Sequence, residues 1–65
     1  MPQIDDLIYF NEKEYGRIKK ILINETFCFK EFIFENFLTK KDETCYLGDL
    51  RINKENKWVY YPTGV

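Results

Sequence analysis

Histidine, serine and alanine do not occur in this 65-residue chain. Without Ser and His there is no Ser–His–Asp triad and no Cys–His pair. The side chain that most readily exchanges protons near neutral pH is missing as well. Two cysteines, Cys28 and Cys45, are too few for a zinc site, which ordinarily takes four Cys or His ligands. No apolar run approaches the length of a membrane span. The acidic residues Asp5, Asp6, Glu12 and Glu14 break up any secretory signal in the first 25 positions. The reading is a cytoplasmic non-enzyme with no cofactor, no metal and no membrane segment, its two cysteines reduced and unpaired. Missing alanine, with abundant Ile, Phe and Tyr, tilts local preference from helix to strand.

Charge of one sign is also lacking. Ten basic and eleven acidic residues leave a net charge of −1. Duplex nucleic-acid binders carry a basic excess or stripe, so nucleic acid is a disfavoured partner. What is abundant is apolar surface, at 45 % hydrophobic and 18 % aromatic residues. A chain of this size forms one domain, residues 1–65, and buries only about 60 % of its unfolded surface. Its core must therefore be dense.

Residues 6–23, DLIYFNEKEYGRIKKILI, have two readings. As a hairpin, LIYF and YGRIKKILI are strands joined by NEKE. As a helix, Ile4, Leu7, Ile8, Tyr15, Ile18 and Leu22 form one stripe. Gly16 costs such a helix about 1 kcal/mol and Ile21 falls off the stripe, so the hairpin is preferred. At the other end, GDLRIN and KWVYYP alternate around the polar turn NKENK, where Asn56 suits a left-handed backbone. A hairpin over residues 44–61 follows. TKKDE at 39–43 reads as a loop, and ENFLTKK as the end of a short helix. The fold expected is mainly β: a small antiparallel sheet or SH3-like open barrel of four to five strands with at most one short helix. The alternative is α+β with an N-terminal helix.

Residues 28–38, CFKEFIFENFL, hold four phenylalanines. On a strand, Phe29, Ile33 and Phe37 share one face, and Cys28, Phe32, Phe34 and Leu38 the other. Both faces are apolar, and the remaining chain looks too short to cover both. Lys30, Phe32, Phe34 and Phe37 resemble the RNA-binding octamer of RRM domains, but Glu31, Ile33 and Glu35 depart from it and core packing is the better account. A single-stranded nucleic-acid-binding β-barrel is kept as the alternative function. The first expectation is a small protein-interaction module, an inhibitor or modulator that occupies the surface of a larger target. AT-rich codon usage and a chain opening on Met1 suggest a phage-encoded antagonist of a host or defence protein. Its contact residues are expected to be Phe32, Phe34, Glu31, Glu35, Trp58, Tyr60 and Tyr61. Uncovered apolar surface also predicts a homodimer.

Overall fold

Phe10 and Lys13 face each other across a two-residue turn. Its residues, Asn11 and Glu12, are both left-handed, with φ of 52° and 65°. Two such residues in succession make a turn whose twist matches that of paired strands. The N-terminal stretch is thus a hairpin of β1 (Leu7–Phe10) and β2 (Lys13–Asn24), and the helical alternative falls. The turn is tighter than NEKE, since Lys13 and Glu14 already pair with β1. The computed structural model describes residues 1–27 and 29–62. Within them follow β3 (Phe29–Asn36), β4 (Asp42–Tyr46), β5 (Leu50–Ile52) and β6 (Trp58–Tyr60), with one 3₁₀ turn at Leu47–Asp49.

The protein is mainly β, as expected, but with six strands rather than four or five. They form one sheet in the order β4-β3-β2-β1-β6-β5. Neighbours are antiparallel except β1 and β6, which run parallel. The edge strands β4 and β5 are consecutive in the chain. Laid flat, they would lie about 24 Å apart at roughly 4.8 Å per strand. The link from Tyr46 to Leu50 spans at most about 14 Å. The sheet must therefore curl into a half-barrel. One concave face supplies the core cluster: Ile8, Ile18, Phe32, Phe34, Cys45 and Leu50, drawn from β1 to β5.

Strand β2 makes the curl possible. Tyr15 has no partner between the pairs Ile8↔Gly16 and Tyr9↔Glu14, and Lys19 has none between Ile18↔Phe34 and Lys20↔Ile33. Each is the extra residue of a β-bulge, which bends the strand and shifts the residues after it by one face. Tyr15, Ile18 and Ile21, each three residues apart, consequently all pack on the core. The step from Tyr15 to Ile18 is the part of this pattern that the helical stripe shared.

Gly16 is required by the same curvature. A Cβ there would lie 2.6 Å from both Phe34 Cδ2 and the Glu35 carbonyl oxygen. The Phe34 ring takes the space that a side chain on β2 would need. Phe10, Tyr15, Phe34 and Tyr60 meet beside it, with ring centroids 5.2 to 6.1 Å apart.

Two boundaries differ from expectation. No helix forms at ENFLTKK, because β3 runs through Asn36 and the Asn36 side chain then captures the turn. Its Oδ1 accepts from Leu38 N (2.8 Å) and Thr39 N (3.3 Å), and its Nδ2 donates to Glu43 Oε2 at 2.7 Å. Asparagine competes with helical bonding in this way. The loop ends at Lys41, and Asp42 and Glu43 already belong to β4. The C-terminal hairpin starts at Leu50 rather than at 44, since Thr44–Tyr46 pair with β3. Asp49 forces that break: its Oδ2 accepts Tyr46 N–H at 3.0 Å and closes the 3₁₀ turn. Asn56 is left-handed as expected, at φ 64°.

Replacing Gly16 with alanine pushes Phe34 off its seat and is expected to lower stability by about 1–3 kcal/mol, the usual cost of overpacking. Urea unfolding followed through Trp58 fluorescence checks this, with an unchanged midpoint as the contrary result.

Candidate functional site

Phe32 and Phe34, expected at the contact face, do not reach the surface of the chain. Both are 0 % exposed, at the centre of the core. The sheet curls around β3 from both sides, so the concave face shelters more surface than a flat sheet could. Alternation also forbids the expected grouping. Glu31 and Glu35 lie on the face opposite Phe32 and Phe34, so the four cannot form one patch. The two glutamates mark the solvent face, and that signal was present in the sequence.

Trp58 and Tyr60 turn inward as well. Trp58 pairs with Ile8, and both rings pack half-buried against the core. Tyr61 points outward and is 53 % exposed. The expected site therefore divides: Phe32, Phe34, Trp58 and Tyr60 inside, Glu31, Glu35 and Tyr61 outside.

The convex face carries its own aromatic strip. Phe27 stacks on Phe29 with centroids 6.2 Å apart, and Phe29 meets Tyr46 edge-on at 5.7 Å. Phe27, Phe29 and Tyr46 are 71 %, 36 % and 47 % exposed. Glu31 lies between Tyr46 on β4 and the exposed Leu22 on β2. Strand register thus assembles apolar residues from three strands around one carboxylate. Cys28 lies outside the described residues.

Beside the strip runs the open edge of β4. Asn36 N donates to Lys41 O at 2.9 Å, which sets the alternation of the ladder. Glu43 and Cys45 then bond towards β3, while Asp42, Thr44 and Tyr46 turn their backbone groups outward. Asp49 already holds the Tyr46 amide.

Compared with protein-family models, curated proteins and solved structures, the chain matches none of them. The residues themselves carry the functional argument. Among the described residues, no group of three His, Cys, Asp or Glu could hold a metal ion. No described helix is long and apolar enough to cross a membrane.

A second outer surface lies between β1 and β6. A hollow of about 560 Å³ is bordered by Tyr9, Val59 and Tyr61, with Glu12, Glu55 and Lys57 at its rim. A neighbouring hollow of about 480 Å³ shares Tyr9 and Lys57 and reaches Asp5, Asp6 and Arg17.

Inside the barrel, Cys45 is a free thiol, 1 % exposed. Burial, with the nearby Asp49 carboxylate, pushes its pKa up to about 12. Burial and Asp49 raise Tyr60 as well. A thiolate is the nucleophile, so this cysteine is inert at neutral pH. The folded state disfavours the ionised forms of both groups. Their contribution to stability is complete below the thiol's ordinary value of 9.0 and is lost as pH rises towards about 12. Iodoacetamide at pH 8 is accordingly expected to leave Cys45 unmodified in the native protein and to alkylate it in denaturant, as read by peptide mass mapping. Urea midpoints should fall between pH 9 and 12.

Proposed function

We propose that this chain is a small protein-interaction module whose contact face is the Phe27–Phe29–Tyr46 strip, with Leu22 and Glu31. The observation that carries this reading is the exposure of three rings on the convex face, Phe27 and Tyr46 each packed against Phe29. Ordered aromatic rings lose little side-chain freedom on docking, and aromatic residues are enriched in protein contact sites. Contiguous apolar surface rimmed by polar residues marks such sites in soluble proteins. The module acts by occupying the surface of a larger target, as an inhibitor or modulator. A cytoplasmic setting and a phage antagonist of a host defence protein are the specific form we favour.

A second copy of the chain is the competing partner. Asp42 and Thr44 offer backbone donors and acceptors at the edge of β4, where another β4 could add about a two-fold axis. Centred on Thr44, that pairing sets Glu43 diagonally across from its counterpart, and like charges so placed oppose it. The nucleic-acid reading loses the stacking rings first assigned to it, since Phe32 and Phe34 are inside.

The double substitution Phe27→Ser and Phe29→Ser tests the face. It should leave the circular dichroism spectrum intact and reduce capture of the target from lysate of the source organism or its host at least about tenfold, a loss of roughly 1.4 kcal/mol. Equal capture by both forms contradicts the reading, and so does salt-sensitive binding to oligo-dT with no protein captured. Sedimentation as a dimer that the double substitution leaves intact would show a second copy on another face. Phe32→Glu, by contrast, places a charge in the core and should unfold the chain.

A further inference from the structure

We propose that the outer groove between β1 and β6 is a seat for a lysine or arginine side chain of a partner polypeptide, occupied in the free protein by Lys57. Lys57 Nζ lies 4.9 Å from the centroid of the Tyr9 ring. It also lies 3.3 Å from Glu55 Oε2. A ring face and a carboxylate together favour a cation from two directions. The same face draws a second cation, with the Arg51 guanidinium 5.8 Å over the Tyr61 ring.

The surroundings favour positive charge beyond what the chain supplies. Four carboxylates, Asp5, Asp6, Glu12 and Glu55, border the two hollows, against Arg17 and Lys57 on their walls and Arg51 over the Tyr61 ring. Arg17 is committed elsewhere, its Nη1 donating to the Asp5 carbonyl oxygen at 3.2 Å. Glu12 forms no ion pair among the described residues. It stands on the hairpin turn at the rim of the larger hollow, which at about 560 Å³ has room for a long side chain and its flanking backbone.

Lys57 is built to leave. Its backbone is pinned, because Asn53 Oδ1 accepts its amide at 2.9 Å after the left-handed Asn56. Its side chain is 44 % exposed and its ion pair with Glu55 is open to water. Exposed pairs of this kind are weak and screened by salt. An incoming cation displaces the ammonium into solvent with no change in the backbone. The seat is separate from the Phe27 strip, on strands at the other side of the sheet, so either assignment can fail without the other.

N-acetyl-arginine amide is the probe, with the neutral N-acetyl-citrulline amide as control, followed by NMR of the Tyr9 and Tyr61 ring protons. Arginine amide should shift both rings and citrulline amide should not. Lys57→Ala should tighten binding severalfold, because a seat filled part of the time by its own lysine binds a second cation only in the fraction left open. Glu12→Gln should weaken it. Lys57→Gln, which keeps the stem, should act as Lys57→Ala does. Equal shifts with both probes, or binding no tighter in either Lys57 variant, would overturn the assignment.

Discussion

The Phe34 ring rests against Gly16 on the neighbouring strand, and much of the molecule depends on that contact. A sheet with no helix to cover it can bury apolar surface only against itself. Bringing one face round on itself needs a strand that bends, and β2 bends at Tyr15 and Lys19. It also needs room for a large ring at the centre, and Gly16 supplies that room by having no side chain. The short link through Leu47–Asp49 can join opposite edges only because the curl has brought them near. Curvature, the glycine and the edge-to-edge link are one geometric solution seen at three places.

The same curl sorts the aromatic residues. Phe32 and Phe34 point into the concavity, where strands on both sides enclose them. Phe29 points out from the same strand and meets the exposed rings of Phe27 and Tyr46. An apolar ring inside stabilises the fold through burial. One outside leaves apolar area in water until something covers it. The surface left for a partner is therefore on the convex side of β3, opposite Phe32 and Phe34. Asp49 links fold and edge: its carboxylate holds Tyr46 N–H, so β4 stops and the chain crosses to β5.

Local patterns made part of this legible. The short apolar run LIYF, the alternation in DLRIN and its return in KWVYY were enough to locate β1, β5 and β6, and Asn56 announced its own backbone conformation. What the sequence hid has identifiable causes. A bulge turns the period-two signal of a strand into a three-residue step, so Tyr15 and Ile18 fitted a helical stripe, while Ile21, which the second bulge turns inward, fitted neither pattern. Asn36 took the amides that a helix at ENFLTKK would have needed. β3 is apolar on both faces, and counting hydrophobic residues cannot choose between them. Glu31 and Glu35 could have chosen, because residues two and four apart on a strand share a face. The seat around Tyr9 and Lys57 was out of reach, since it joins β1 to β6 through a parallel pairing that no local pattern encodes.

One proton reports directly on the claim that the sheet closes over its own face. With Phe34 Cδ2 2.6 Å from the position a Gly16 Cβ would take, one Gly16 α-proton sits against the ring. NMR should show a strong nuclear Overhauser contact between that proton and the Phe34 ring, with the proton shifted well upfield by the ring current. A Gly16 α-proton at its ordinary shift, with no contact to Phe34, would contradict the curled sheet and the sorting of residues that follows from it.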